Sequence, residues 1–260
     1  MADSGPERRI LILGGTTESA QLARAVERRR GFKVITSLAG RTRDPAPVPG
    51  GVRSGGFGGI EGLIRFVREE HIDVIIDATH PYAEQISRHA VVASRSTGVP
   101  LVRLERPPWP RQPGDRWALV DSVVEAARVL PDYGRRAFLT VGGKELQAFA
   151  NMERMWFLVR LVEAPTEPPP LLHCQVVTGR GPFTAEDERK LLQQHRVDMI
   201  VAKNSGGDAT YGKIAAARAL RIPVIMLKRP ALPDVASVAT VDEVVAWLDH
   251  AIMPSTARGV

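Results

Sequence analysis

The chain carries the same succession of short apolar runs, glycine turns and helical segments twice over, and this constrains its fold more than any other feature. Ile10-Leu-Ile-Leu-Gly-Gly15 answers to Ala137-Phe-Leu-Thr-Val-Gly-Gly143, each an apolar run that stops at a glycine pair before a helical pattern. Val52-Arg-Ser-Gly-Gly-Phe57 answers to Val177-Thr-Gly-Arg-Gly-Pro182, and His71-Ile-Asp-Val-Ile-Ile-Asp77 to Arg196-Val-Asp-Met-Ile-Val-Ala202. Val99-Pro-Leu-Val-Arg-Leu-Glu-Arg-Pro107 parallels Ile222-Pro-Val-Ile-Met-Leu-Lys-Arg-Pro230, and Val120-Asp-Ser-Val-Val-Glu125 parallels Val241-Asp-Glu-Val-Val-Ala246. The spacing between partners shortens only slowly along the chain. Any two α/β domains share an order of strand, glycine and helix, but the common Leu-x-Arg-Pro and Val-Asp-x-Val-Val strings go beyond that.

Short β-branched runs alternating with longer helical patterns predict a parallel sheet covered on both faces in each half. The expected fold is α/β: two Rossmann-like parallel-sheet domains related by internal duplication, with a ligand cleft between them. The expected domains are residues 1–131 and 132–260. In the first half the pattern predicts strands near 9–13, 33–37, 52–53, 73–77, 100–104 and 117–120, with helices near 17–30, 60–70, 82–97 and 121–130. Glu105-Arg-Pro-Pro-Trp-Pro-Arg-Gln-Pro-Gly114 is too rich in proline for a helix or a central strand and reads as a loop.

A length of 260 residues suits two domains. A hydrophobic content of 44% with 25% charged residues is that of a soluble protein, and no window approaches the roughly 18 apolar residues of a membrane span. The polar start Met1-Ala-Asp-Ser-Gly-Pro-Glu-Arg-Arg9 runs straight into the first apolar segment, so no secretory leader is expected and the cytoplasm is the expected compartment. Cys174, the one cysteine, sits in an apolar run and reads as a buried, inert thiol. The six histidines show no ligand spacing with it, and no metal site is expected. The net charge of +6 favours an anionic partner. Nucleic acid fits poorly, because the basic residues are spread along the chain and aromatic residues are few. A small polyanion fits better.

In a parallel sheet the loops after the strands carry the ligand. Gly14, Gly15, Thr16 and Thr17 form a plausible phosphate cradle at a helix N-terminus, with Thr16 alternatively only capping that helix. Glu18 would favour the helix end and repel a phosphate. The second strand lacks the acid that holds an NAD ribose; Ser37, Leu38, Ala39, Gly40 and Arg41 instead suit a 2′-phosphate and point to NADP, the alternative for Arg41 being a solvated loop arginine. Ser54-Gly-Gly-Phe-Gly-Gly59 sets Gly56 and Gly58 around Phe57, where adenine could lie against ring and backbone; turn chemistry alone is the plainer reading. Asp77-Ala-Thr-His-Pro-Tyr-Ala83 puts Pro81 at the first position of a helix with Thr79 and His80 beside it. His80 could donate a proton or simply cap or pack. In the second half Gly142-Gly-Lys-Glu145, Gly179-Arg-Gly-Pro182 and Lys203-Asn-Ser-Gly-Gly207 bring cations to the matching loops, which suits an acidic substrate. Lys203 could instead pair with an acid such as Asp208, and Asp77 and Asp198 read as structural.

Taken together, Leu-Gly-Gly-Thr-Thr-Glu, Thr-Ser-Leu-Ala-Gly-Arg, Gly-Gly-Phe-Gly-Gly, Asp-Ala-Thr-His-Pro-Tyr-Ala and Lys-Asn-Ser-Gly-Gly, in this order between Ile10 and Asp249, resemble the precorrin-6A reductases of cobalamin biosynthesis. The resemblance implies reduction of the precorrin-6A macrocycle to precorrin-6B by a nicotinamide cofactor, with hydride to carbon 19 and a proton to carbon 18. It places Gly14 to Thr17 at the pyrophosphate, Ser37 to Arg41 at the adenosine ribose phosphate, Gly56, Phe57 and Gly58 on the adenine side, and Thr79, His80, Pro81 and Tyr82 beside the nicotinamide. Gly143, Lys144, Arg180, Lys203, Asn204, Ser205 and Gly206 would face the polycarboxylate tetrapyrrole. His80, Tyr82 and Lys203 are the candidates to deliver the proton, with solvent as the alternative. No nucleic-acid or membrane partner is expected, and a monomer is the working expectation. The alternatives are a cobalt-precorrin-6A reductase and a non-redox, two-domain nucleotide-binding transferase, which would leave NADPH unconsumed.

Overall fold

A computed structural model of the chain describes residues 7–40 and 47–252. Arg41, expected at the 2′-phosphate, lies outside the described residues. In chain order the strands are β1 (Arg8–Leu13), β2 (Phe32–Leu38), β3 (Gly51–Ser54), β4 (Val74–Asp77), β5 (Leu101–Leu104), β6 (Trp117–Val120), β7 (Arg136–Leu139), β8 (Trp156–Leu161), β9 (Cys174–Thr178), β10 (Met199–Lys203), β11 (Val224–Leu227) and β12 (Ala236–Val238). The α-helices are α1 (Thr17–Glu27), α2 (Ile60–Glu69), α3 (Glu84–Thr97), α4 (Val123–Val129), α5 (Ala185–Gln194), α6 (Gly212–Leu220) and α7 (Val241–Ile252). None of the described helices is long and apolar enough to cross a membrane.

The strands form two six-stranded parallel sheets, ordered β12-β5-β4-β1-β2-β3 and β6-β11-β10-β7-β8-β9. With β1 matched to β7, β2 to β8 and so on, the two orders are the same, as a duplicated Rossmann-like unit requires. Details repeat too. Asp73 Oδ2 accepts from Arg9 N at 2.7 Å and Asp198 Oδ2 from Arg136 N at 2.9 Å, so each aspartate ties the start of its sheet's central strand. His71 and Arg196, at the ends of α2 and α5, both adopt positive φ, 48° and 49°. The backbone therefore repeats even where the side chains differ.

The expected boundary at 131/132 is corrected. One compact unit comprises the chain up to Arg106 together with the chain from Ala231, and the other runs from Pro107 to Pro230. The sixth strand of each sheet comes from the other half of the sequence: β6 pairs with β11, Trp117 opposite Val224, and β12 with β5, Ala236 opposite Val102. Edge strands of this kind are assigned by the sheet they reach, which chain order does not encode.

In the first unit the alternation of β1 feeds two cores. Ile10 and Ile12 pack with Val34, Val74 and Ile76 under α1 and α7, through Leu22, Val26, Val244 and Leu248. Leu11 and Leu13 pack on the opposite face with Leu63, Val67, Ile75 and Val91 of α2, β4 and α3. In the second unit Phe138, Leu158, Ile200 and Met226 pack against Leu192 of α5 and Ile214 of α6. Each such buried side chain contributes roughly 1.5–3 kcal/mol of hydrophobic transfer. Cys174 is half-buried on the edge strand β9 rather than buried, and partial burial raises its pKa.

Candidate functional site

In the first sheet the point where strand order reverses lies between β1 and β4, and ligands of such sheets collect at the C-terminal strand ends there. After β1, Gly14 N donates to Ser37 O at 2.9 Å. A Cβ on Gly14 would sit 3.1 Å from Ser19 Oγ and 3.2 Å from Thr36 Cγ2, so packing keeps this residue small. Gly15 has φ +109° and open space around it. Thr16 caps α1: its Oγ1 accepts from Ser19 N at 3.0 Å and donates to Ala78 O at 2.9 Å. Ser19 Oγ in return accepts from Gly15 N at 3.1 Å and Thr16 N at 3.0 Å. The Thr16 hydroxyl is therefore spent on the cap and on a tie to the β4 loop, while Gly15 and Thr17 form the exposed surface of the turn. Ser19 was not singled out from the sequence: it takes the place that Glu or Gln holds in the usual capping box. Glu18 forms an ion pair with Arg106, which offsets the repulsion it would exert on an anion. Thr16, Glu18, Thr79, Pro81, Leu104 and Arg106 line one recess.

After β2 and β3 the register places Ser37 opposite Arg53. Arg53 Nη1 donates to Ser37 Oγ at 2.8 Å and to Gly55 O at 3.0 Å, and Nη2 donates to Gly56 O at 3.0 Å. Its guanidinium lies 3.8 Å from the Phe57 ring centroid. Burial pushes the Arg53 pKa below the ordinary arginine value. Phe57 is fixed from behind: a Cβ on Gly62 in α2 would lie 1.6 Å from Phe57 O, so this approach requires glycine. The organiser of the β3 loop is Arg53, which was not among the residues singled out in the sequence.

After β4, Asp77 Oδ1 accepts from Thr79 Oγ1 at 2.7 Å and Thr79 N at 3.2 Å. Asp77 Oδ2 faces Arg103 Nε at 3.4 Å, and both side chains are buried. The turn closes with Ala83 N donating to His80 O at 2.7 Å, so α3 begins at Glu84. Pro81 consequently lies in that turn and not at a helix's first position. His80 Nδ1 accepts from Tyr82 N at 3.3 Å, and the two rings are 5.7 Å apart. Asp77, Thr79, His80, Pro81 and Arg103 share a second recess.

The matching loops of the second unit are arranged differently from expectation. Lys203 is ion-paired with Glu145 at 2.6 Å, not with Asp208, and Glu145 also accepts from Gly142 N. Asn204 Oδ1 accepts from Trp109 N at 2.7 Å and its Nδ2 donates to Trp109 O at 3.1 Å. Arg229 donates to Asn204 O at 2.9 Å and Ser205 O at 3.1 Å. Gly206 has φ +69°, and a Cβ there would lie 2.1 Å from Pro107 O. The Lys203–Gly207 loop is thus clamped by the proline-rich segment. Arg180 pairs with Glu163 at 2.6 Å at the end of β9, apart from the β7 loop, where Gly143 and Lys144 are exposed. Among the described residues no group of three or more His, Cys, Asp or Glu is placed to hold a metal ion.

The family described as Precorrin-6x reductase CbiJ/CobK matches residues 9–249. A precorrin-6A reductase of Rhodococcus erythropolis is 47% identical over 243 residues, covering 92% of this chain and 97% of its own. One from Sinorhizobium sp is 48% identical over 247 residues, covering 95% of each. The solved structure described as CobK precorrin-6A reductase superposes with a TM-score of 0.89 at 42% identity, over 97% of this chain and 100% of its own. Two six-stranded sheets of one topology, a glycine turn at the reversal point and these likenesses lead to one conclusion: the chain belongs to the precorrin-6x reductase family.

Proposed function

We propose that the chain reduces precorrin-6A to precorrin-6B with NADPH, the first unit holding the cofactor and the second the macrocycle. One observation carries this reading: four segments of the first unit follow one another along one sheet edge, Thr79–Pro81 after β4, Gly14–Thr17 after β1, Ser37–Gly40 at the end of β2 and Gly55–Phe57 after β3. A dinucleotide lying along that edge meets them as nicotinamide, pyrophosphate, ribose and adenine. The residues fit the group. Open space at Gly15, Gly56 and Gly58 lets a ligand approach the backbone, and the N-terminus of α1 favours phosphate.

When bound, NADPH supplies the hydride that reaches carbon 19, while carbon 18 takes a proton. The chain's own task is orientation and exclusion of water. Asp77 holds Thr79, Thr16 ties the first loop to the fourth, and buried Pro81 and Leu104 form the dry side. His80 is the side chain we assign to proton delivery: a proton taken up from solvent on Nδ1, in place of the contact that Nδ1 accepts from Tyr82 N, makes the imidazolium that can give one up, and Tyr82 stands beside it. Lys203 is less suited to that task, since Glu145 already compensates its charge. Lys144 and the Gly143 backbone are assigned to substrate carboxylates, with Arg180 as a more distant contact, while Asn204, Ser205 and Gly206 shape the loop. The metal-free macrocycle is favoured because the relatives at 47% and 48% identity bear the precorrin-6A name. The test is a titration with NADPH and NADH, following nicotinamide fluorescence and energy transfer from tryptophan. Preference for NADPH is expected; a folded protein that binds neither would favour a non-redox nucleotide-binding transferase.

A further inference from the structure

We propose that Arg53 is the residue that selects NADPH over NADH, by holding the adenosine 2′-phosphate, the role the sequence assigned to Arg41. The proposal rests on the reading that the first unit binds this dinucleotide.

Position comes first. Arg53 lies one strand beyond Ser37, and Ser37 O receives the Gly14 N–H of the first glycine turn, so the guanidinium stands at the edge where the ribose nearer the adenine would lie. The end of β2 offers Ser37, Leu38 and Ala39 and no carboxylate to hold free ribose hydroxyls. Geometry comes second. The plane of Arg53 is fixed by stacking on Phe57 at 3.8 Å, by Phe66 at 5.2 Å, and by hydrogen bonds to Ser37, Gly55 and Gly56. These use three of the five donors of a guanidinium. Nε–H and one Nη2–H have no partner among the described residues, and together they form the fork that takes a phosphate through two bonds.

Charge comes third. Arg8, Arg9, Arg103 and Arg106 of the same unit are each paired with a carboxylate. The acceptors of Arg53 are a hydroxyl and two carbonyls, and no described acid forms an ion pair with it. A half-buried, rigidly held cation without a counter-charge is a site for an anion. The downward push on its pKa by burial has the same origin. Gly55 beside it has open space in which a phosphate can sit.

The experiment is calorimetric titration of the full chain with 2′,5′-ADP and, separately, 5′-AMP, for the unaltered protein, Arg53→Gln, Arg53→Lys and Arg41→Ala, with thermal melts to establish that each is folded. Arg53→Gln is expected to weaken 2′,5′-ADP by about tenfold or more while changing 5′-AMP by less than about threefold, and Arg53→Lys to fall between. Equal weakening of both probes by Arg53→Gln would overturn the proposal and leave Arg53 a support for Phe57. Loss of the preference in Arg41→Ala with its retention in Arg53→Gln would overturn it in favour of Arg41. If the unaltered protein binds 5′-AMP but does not prefer 2′,5′-ADP, the 2′-phosphate role falls while a nucleotide site stands; if it binds neither probe nor NADPH, the dinucleotide reading falls with it.

Discussion

The side chain of Asn204 closes on both backbone groups of Trp109, its Oδ1 accepting from Trp109 N at 2.7 Å and its Nδ2 donating to Trp109 O at 3.1 Å. Trp109 is itself buried, with Nε1 donating to Gly207 O at 2.7 Å. A residue expected to face the substrate is therefore the latch between a proline-rich segment and the β10 loop. Asn204→Ala leaves two backbone groups without their partner and is expected to destabilise the protein by about 1–3 kcal/mol. Urea unfolding measures this, and an unchanged midpoint would show that the latch is not needed.

Gly62 gives a prediction whose sign runs against the usual rule. In an ordinary helix interior Gly→Ala stabilises by roughly 0.5–1 kcal/mol. Here the added Cβ would meet Phe57 O at 1.6 Å, so Phe57 or the start of α2 must move. Gly62→Ala is expected to lower stability and to weaken nucleotide binding together, read by a melt and by NADPH titration.

Lys213 in α6 is buried, its Nζ 2.6 Å from Thr210 O and 4.9 Å from the Trp109 ring centroid. Burial pushes its pKa down to about 7, with Glu188 opposing the shift and Arg160 adding to it. Between about pH 7 and the usual lysine range near 10.4 the unfolded chain therefore holds a proton that the folded chain has released, and stability rises with pH. Below this window both states are protonated and the full cost of the buried charge is felt. Relative to Lys213→Met, the unaltered protein should gain stability on the order of a few kcal/mol across the window. Paired melts near both ends measure it, and a pH-independent difference would contradict the assignment.

Asp77 and Arg103 are both buried and face each other beside the β4 loop. Asp77→Ala strands Arg103 and frees Thr79, and a loss of about 3–5 kcal/mol is expected. Arg103→Met in the same chain should recover part of it. A double mutant no better than Asp77→Ala would show that the pair itself carries little of the cost.

What could be read from the sequence follows the range of the interactions. Apolar runs that stop at a glycine pair located β1 and β7, the matched runs ending at Asp77 and Ala202 located β4 and β10, and the two sheets have the shared order that the repeated strings implied. Sheet membership of β6 and β12 was not legible, because an edge strand's partner is chosen by tertiary contact. The same holds for Asn204 and Trp109, 95 residues apart in sequence, and for Lys203, whose partner proved to be Glu145. Arg53 was visible in the string and missed for another reason: glycines drew the reading to the turn, while the strand register that sets Arg53 beside Ser37 is a property of the folded sheet.

NADPH-dependent reduction of precorrin-6A is tested by mixing the purified protein with NADPH and precorrin-6A under anaerobic conditions. Nicotinamide absorbance is expected to fall only when the macrocycle is present, with a product heavier by the mass of H₂ and with NADH a poor substitute. A folded protein that binds NADPH yet leaves it unoxidised with precorrin-6A present would contradict this activity.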